Sequence, residues 1–129
     1  MAVTPCRGAE FILLALDAEL CPSVVMAEAP HGTAPALWGK NVANPMAMVL
    51  ACAAVLDYAG RAGDDEAASA ATAATAATAI RTAALGAAAD GVRTTDLGGN
   101  SSTTEVLDEI VMRVARSIGA DEPPDSPVG

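Results

Sequence analysis

The sequence predicts a helix-rich α/β fold, and three stretches carry this prediction. The β-branched run VVMAEA at 24–29 is typical of a short strand. An apolar stretch from 45 to about 58 and an amphipathic stretch after 102 are each long enough for a helix. The chain has 129 residues, which is enough for one small domain with its own core.

Composition narrows the possible partners and the compartment. Seven Lys and Arg against sixteen Asp and Glu give a net charge of −9, which argues against nucleic acid and anionic membrane surfaces as partners. The three cysteines are widely spaced and form no CxxC pair, which argues against a disulfide framework and against zinc. The apolar runs FILLAL (11–16) and MAMVLACAAVL (46–56) are too short to span a bilayer. A reducing, cytoplasmic setting is therefore expected.

The first half of the chain is organised around one loop. Residues 1–20 have mixed character and support no structural prediction. The stretch HGTAPALWGKNVANP (31–45) combines glycines and prolines at a density that predicts a shaped loop. Asn44 can cap a helix whose first position is Pro45, and this helix should run to about Tyr58, with Gly60 just beyond its end. Because the helix is apolar on nearly every face, it should be covered on most sides.

A second, alanine-rich helix should follow and continue to Gly86. The acidic run at 64–66 suits the N-terminus of this helix. Three AAT triplets from Ala70 indicate compositional drift rather than a repeat fold, and they place Thr72, Thr75 and Thr78 mostly towards solvent. The chain has only three aromatic residues, so a core of small side chains and marginal stability are expected.

The last helix is the most clearly defined element. It follows a second glycine-dense loop, GVRTTDLGGN (91–100), and Ser102 and Glu105 have the spacing of a capping box. Its predicted core stripe consists of Val106, Leu107, Ile110, Val111, Val114 and Ile118. The charged, proline-rich residues 119–129 should be a disordered tail.

The two loops are the candidate ligand site. His31, Gly32 and Thr33 offer an imidazole, a bare backbone and a hydroxyl in succession, a combination that can grip a ribose or a phosphate. Asn44 could cap a helix while its amide faces a base, and Asp96 could simply stabilise a turn. The glycines at 98 and 99 do not form a GxGxxG fingerprint, so they do not indicate a Rossmann fold.

Two segments of the chain resemble one enzyme family. MAEAPHGTAPALWGKNVANPMAMVLACAAVLDYAG (26–60) and GVRTTDLGGNSSTTEVLDEIVMRV (91–114) are similar to the C-terminal part of the isocitrate/isopropylmalate dehydrogenases, which are metal-dependent and β-decarboxylating. The resemblance covers 26–118 and implies part of the cofactor-binding lobe of a three-layer α/β/α sandwich. Residues 1–25 stay unassigned or degraded, because ELCPS (19–23) matches the family's LAPS-like motif poorly.

The resemblance also implies a binding site for the adenosine part of NAD or NADP. On this basis His31, Gly32, Thr33 and Ala34 would surround the adenine and ribose, Asn44 would hydrogen-bond the adenine, and Asp96 would approach the cofactor from the second loop. NAD-using members carry an acid after HGTAP and NADP-using members carry a base there. This chain has Ala36 there, and Thr95 and Gly99 where NADP-using members have Tyr and Arg. Because none of these three positions carries a positively charged side chain that could bind a 2′-phosphate, NAD is favoured over NADP.

Other parts of the family's machinery precede the matched region. The substrate-binding arginines, the proton-transferring Tyr and Lys, and the aspartates that hold Mg²⁺ or Mn²⁺ are absent from this chain, so no catalytic or metal residue is assigned. The complete enzyme would oxidatively decarboxylate a 2-hydroxy acid of isocitrate or 3-isopropylmalate type, with a slight preference for the former. It would act as a homodimer. This chain would bind the hydroxy acid only if the substrate-binding part of the enzyme, which it lacks, is supplied. The alternatives are a catalytically inactive remnant serving as a nucleotide-binding or subunit-interaction module, and a helical bundle with chance similarity.

Overall fold

The computed structural model describes residues 2–4, 11–16, 22–29, 31–62 and 67–119. Its regular elements, in chain order, are β1 (Ala2–Thr4), β2 (Phe11–Leu16), β3 (Pro22–Glu28), α1 (Met46–Ala62), α2 (Ala67–Ala89) and α3 (Thr103–Ser117). Two short 3-10 turns, Pro35–Leu37 and Thr95–Leu97, lie in the two loops. The fold is therefore α/β and rich in helix, as the sequence predicts.

The strands form one antiparallel sheet in the order β1-β2-β3. Leu13 of β2 lies opposite Val3 on one side and Met26 on the other, and the register shifts between Ala15 and Leu16. The strand predicted at 24–29 corresponds to β3, whereas β1 and β2 fall within residues 1–20, for which the sequence supported no prediction. A strand is stabilised by hydrogen bonds to neighbouring strands. The sequence of a short apolar run does not show which segments it pairs with, so such a strand is hard to predict.

Helix α1 begins as predicted and ends later. The side-chain oxygen of Asn44 accepts a hydrogen bond from the Met46 backbone N–H at 2.9 Å, and the Pro45 carbonyl accepts from Val49 N–H at 3.1 Å. The prediction that Gly60 lies beyond the helix was wrong, because α1 continues to Ala62. A Cβ atom at Gly60 would lie 2.5 Å from the Cβ of Ala73, so this glycine allows α1 and α2 to cross closely.

Helix α2 also continues beyond Gly86, the residue at which it was predicted to end. Gly86 lies inside the helix, and a Cβ there would be 2.9 Å from the guanidinium of Arg113, which reaches across to Asp90 at 2.8 Å. The helix ends instead at Ala89, just before Gly91, whose φ of +93° suits glycine. The predicted acidic N-terminus at 64–66 lies outside the described residues.

The exposed side of α2 matches the prediction. Thr72, Thr75 and Thr78 lie mostly towards solvent. The hydroxyl groups of Thr75 and Thr78 donate hydrogen bonds to the helix carbonyls four residues earlier, at 2.8 and 2.9 Å. The AAT triplets therefore place their hydroxyls on a solvated face and leave alanines for the contacts between helices.

The core lies where the three helices meet. Its buried residues are Met46, Leu50, Ala83, Ala84, Ala87, Val106 and Ile110. Three of these seven are alanines, which let the helices approach closely but bury little apolar area each. Most of the hydrophobic stabilisation at this point must therefore come from a few larger side chains.

One prediction about burial was confirmed and another was partly wrong. Helix α1 is covered on most sides, and its exposed apolar side chains Met48, Cys52 and Val55 lie along one stripe. In the stripe of α3, Val106 and Ile110 are buried and Val114 is half-buried, whereas Leu107, Val111 and Ile118 are exposed. Both helices pack mainly against α2, and part of the apolar surface of each helix lies exposed.

These exposed side chains border a groove between α1 and α3, which we call the apolar groove. It has a volume of about 500 Å³ and is lined by Met48, Val49, Cys52, Ile80, Leu107, Ile110, Val111, Val114, Ala115 and Ile118. Cys52 carries a free thiol, whereas Cys6, Cys21 and the tail at 120–129 lie outside the described residues. Among the helices in the described part of the chain, none is long and apolar enough to cross a membrane.

Candidate functional site

The first loop, residues 31–45, has the shaped backbone that its composition predicts. It holds a 3-10 turn and three left-handed residues, Ala34 (φ +41°), Gly39 (φ +74°) and Asn41 (φ +54°). Glycine adopts this conformation freely and asparagine does so more readily than most residues, whereas alanine does so only when the surrounding structure holds it. The Leu37 N–H donates to the Ala34 carbonyl at 2.9 Å, which closes the turn around the strained alanine.

The start of α3 holds this loop in place. The carbonyl of Asn41 accepts from Thr103 N–H at 3.0 Å, and its side-chain oxygen accepts from Thr104 N–H at 3.1 Å. Asn41 thus satisfies N–H groups at a helix start about 60 residues away in sequence. Ser102 and Glu105 form the predicted capping box at the same helix end. Sequence reasoning missed Asn41, because this cap comes from a distant loop rather than from the preceding residue.

The second loop, residues 91–102, folds tightly against itself. The N–H groups of Gly99 and Ser101 donate to the carbonyls of Thr94 and Arg93, both at 3.0 Å. Gly98 has φ +74° and ends the 3-10 turn, whereas a Cβ at Gly99 would lie 1.9 Å from the Arg93 carbonyl oxygen. The two adjacent glycines therefore serve different needs, one a left-handed backbone and the other a close approach of two chain segments.

One hydrogen bond joins the two loops directly. The side-chain amide of Asn44 donates to the Asp96 carboxylate at 2.8 Å, while its oxygen accepts from Met46 N–H. The buried Thr94 donates its hydroxyl hydrogen to the other carboxylate oxygen of Asp96. Asn44 therefore caps α1 and fixes Asp96 at the same time, and Thr94 is a supporting residue that sequence reasoning did not identify.

The same contacts keep Asp96 ionised. The hydrogen bond from the Thr94 hydroxyl, followed by that from the Asn44 amide, lowers the pKa of the Asp96 carboxyl below its ordinary value of 3.8. Because the folded-state pKa lies below the unfolded one, the associated stability is present above pH 3.8 and is lost as the pH falls through the lower value. At neutral pH the site therefore contains a fixed negative charge.

The two loops border an open cavity of about 490 Å³, which we call the loop cavity. It is lined by His31, Ala34, Leu37, Val42, Ala43, Asn44, Thr95 and Asp96. Four predicted site residues, His31, Ala34, Asn44 and Asp96, thus come together there. Of the other two, Thr33 lines a neighbouring depression beside Trp38, and the carbonyl of Gly32 accepts from Nδ1 of His31 at 3.0 Å.

The walls of the loop cavity are mostly apolar, with polar groups at a few points. Leu37 and Val42 are hydrophobic residues that are exposed in this loop, where they are available for contact with a ligand. Among the described residues that line the cavity, Asp96 is the one with a carboxylate. This combination of apolar walls and few polar groups is typical of small-molecule sites. Within the described residues, no group of three His, Cys, Asp or Glu side chains could hold a metal ion.

Sequence comparison identifies the family to which this fold and site belong. The family model for isocitrate/isopropylmalate dehydrogenase matches residues 13–110, which include strand β3, the three helices down to Ile110 and both loops. The chain belongs to the isocitrate/isopropylmalate dehydrogenase family. The match begins thirteen residues before Met26, where the motif-bearing segment starts.

Individual relatives give the same family and differ in substrate. The chain is 39% identical over 92 residues to a mitochondrial regulatory subunit of NAD isocitrate dehydrogenase from Dictyostelium discoideum, covering 70% of this chain and 23% of that protein. It is 37% identical over 89 residues to the decarboxylating D-malate dehydrogenase of Escherichia coli, covering 69% and 23%. It is 35% identical over 105 residues to an isocitrate/homoisocitrate dehydrogenase of Thermus thermophilus, covering 81% and 28%. The chain thus spans about a quarter of the length of these relatives, and no solved structure matches it.

Proposed function

We propose that the chain carries the adenosine half of an NAD site in a decarboxylating dehydrogenase. The observation that supports this most directly is the hydrogen bond between Asn44 and Asp96, since it brings the HGTAP and DLGG motifs to one cavity. The cavity has apolar walls suited to a purine ring and polar groups suited to a ribose. The motifs come from the matched region of the family model.

In this proposal the adenine lies against Leu37 and Val42, and the ribose lies near His31 and Asp96. Because Nδ1 of His31 already donates to Gly32, its Nε2 is the nitrogen left for a ligand. The amide of Asn44 is bonded to Met46 and Asp96, so only one of its N–H groups and one lone pair are left for the adenine. NAD is favoured over NADP because the lining residues include no Lys or Arg.

We further propose that the complete enzyme is built as the family resemblance implies. Residues 26–118 would form part of one lobe of a three-layer α/β/α sandwich in a cytoplasmic protein. The enzyme would oxidise a 2-hydroxy acid with NAD and then remove its β-carboxyl as CO₂. Mg²⁺ or Mn²⁺, held by residues outside this chain, would polarise the substrate oxygen. The relatives' names include isocitrate, 3-isopropylmalate and D-malate dehydrogenases, so the slight preference for an isocitrate-type substrate stays a prediction.

Titration with NAD tests the half-site. We expect weak, saturable binding by calorimetry, and we expect His31→Ala to weaken it about tenfold, because a donor or acceptor to the ribose is lost. Lys40→Ala is the matched control, since Lys40 is an exposed residue of the same loop outside the cavity lining. Binding that is unchanged in His31→Ala would contradict the proposed position of the nucleoside.

An activity assay tests the other part of the proposal. A chain with only the adenosine half of the cofactor site should show no turnover of isocitrate or 3-isopropylmalate with NAD and Mg²⁺. Turnover at the rate of a complete dehydrogenase would contradict the half-site proposal, even if NAD binds as expected.

The apolar groove favours a second candidate function, that of a subunit-interaction module. Exposed apolar side chains of α1 and α3 line the groove, and a second copy of this chain is the proposed occupant. We expect a concentration-dependent dimer by analytical ultracentrifugation. Val111→Asp should abolish it, whereas Leu85→Asp should not, because Leu85 is exposed but lies outside the groove. A monomer at all concentrations would contradict this candidate.

A further inference from the structure

Trp38 is the most exposed large hydrophobic side chain in the described part of the chain. It is 91% exposed, whereas the next most exposed, Leu85, is 58% exposed. Leu37 and Val42 of the same loop are exposed as well, and they line one shallow depression together with Trp38. The first loop therefore presents an apolar patch with an indole ring at its most accessible point, a feature typical of a binding surface.

The backbone that carries Trp38 is held by hydrogen bonds on both sides of the ring. The N–H group of Trp38 donates to the Pro35 carbonyl at 3.3 Å, and that of Lys40 donates to the Leu37 carbonyl at 3.1 Å. Asn41 then fixes the loop to the start of α3. Because the support is already ordered, a partner that covers the ring does not have to immobilise the loop.

The apolar groove between α1 and α3 is the complementary feature of the same molecule. None of the ten described residues that line it is Asp, Glu, Lys, Arg or His. Its volume of about 500 Å³ lies within the range of cavities that hold small organic molecules, so an indole ring fits. Trp38 is not among the residues that line the groove of its own copy. Burying the groove and the patch around Trp38 together enlarges the contact towards the roughly 800 Å² per partner of stable complexes.

The charged residues beside these two features have opposite signs. Lys40 is exposed and follows Trp38 by two residues. Asp108 is exposed on α3, and it shares one side of that helix with Val111 and Ala115, both of which line the groove. Two copies that join the ring to the groove bring a cation of one towards an acid of the other. This offsets part of the repulsion between two chains with a net charge of −9 each.

We infer that Trp38 of one copy docks into the apolar groove of a second copy. The inference rests on the second candidate function, and it names the side chain that fills the groove. In an uncharged groove the ring exchanges water for van der Waals contacts over most of its surface. Aromatic anchors of this kind supply much of the binding energy at protein interfaces.

The fluorescence of the chain reports this contact directly, because Trp38 is its only tryptophan. As the concentration rises into the range where the native chain associates, the emission should shift to shorter wavelengths and become protected from quenching by iodide. Trp38→Ala should weaken association at least about tenfold in analytical ultracentrifugation, because it removes the anchor. Leu97→Ala is the matched control and should leave association unchanged, since Leu97 is exposed in the second loop but lines neither the groove nor the depression beside Trp38.

Two complementary variants separate the ring from the groove. Val111→Asp keeps Trp38 and damages the groove, whereas Trp38→Ala keeps the groove and has no tryptophan. Each variant alone should stay monomeric. When Trp38→Ala is titrated into Val111→Asp, the tryptophan of the second should enter the groove of the first, and the emission should shift to shorter wavelengths. A double variant with both substitutions should cause no shift when it is titrated in the same way.

The outcomes distinguish this inference from the function on which it rests. If Val111→Asp is monomeric but Trp38→Ala associates like the native chain, another part of the second copy fills the groove, and the inference is overturned. A mixture of the two single variants without a shift in emission would overturn it as well. If the native chain is monomeric at all concentrations, the second candidate function is itself contradicted and the inference fails with it, which is a different result.

Discussion

Replacing Gly99 with alanine is expected to lower the free energy of unfolding by about 3 kcal/mol. The added Cβ would lie 1.9 Å from the carbonyl oxygen of Arg93 and 2.6 Å from its carbonyl carbon, so the backbone itself would have to move. The bonds from Gly99 and Ser101 that close the second loop would be lost in that movement. Urea denaturation measures the change, and NAD binding should fall with it because Asp96 lies in the same loop.

The neighbouring glycine provides the control. Gly98 has φ +74°, and no atom lies within 4 Å of the position that a Cβ would take, so alanine there meets only the cost of a left-handed backbone, about 1 kcal/mol. The two substitutions add the same atom at adjacent positions and differ in what that atom meets. Equal losses of stability would show that the close approach at Gly99 is not what requires a glycine.

Shortening Ile110 to alanine is the second substitution with a large expected effect, a loss of about 3 kcal/mol. Ile110 is only 4% exposed and lies in the core cluster with Val106 and Leu50. Since three of the seven core residues are alanines, few large side chains can move to fill the space. For a domain whose total stability is about 5–15 kcal/mol, this loss would remove between about a fifth and more than half of the free energy of unfolding.

Val111→Ala is the matched change on the same helix. Val111 is 50% exposed, so its truncation should alter the free energy of unfolding by no more than about 0.5 kcal/mol. Both variants should be compared by thermal and urea denaturation at low protein concentration, where association through the apolar groove is minimal. Similar losses in the two variants would mean that Val111 is covered in solution.

Local signals in the sequence predicted the helix starts well. The capping box of Ser102 and Glu105 and the cap at Asn44 involve residues two or three apart, so their spacing is visible in the sequence. The helix ends were predicted less well, because Gly60 and Gly86 resemble stop signals when read alone. Their actual role is to admit Ala73 and Arg113 from neighbouring helices, and this depends on packing that no local pattern contains.

The candidate site divides in the same way. Both loops could be found from their glycines and prolines, and their resemblance to one family suggested that His31, Ala34, Asn44 and Asp96 belong together. The partners of these residues could not be found, since Asn44 and Asp96 are 52 residues apart and Asn41 and Thr104 are 63 apart. Contacts of this kind depend on how the helices pack against each other. They cannot be predicted from the spacing of residues along the sequence.

The long-range bonds of Asn41 also determine when the first loop can take its shape. A ribosome makes residues 31–45 about sixty residues before the helix start that holds them, so in the growing chain Asn41 lacks the partners that hold its left-handed backbone. The α1–α2 hairpin depends on contacts closer in sequence and can form earlier. This loop is therefore fully held only after the last helix has been synthesised and has docked. A chain that ends before Thr103 contains both helices of the hairpin but lacks the bonds that hold Asn41.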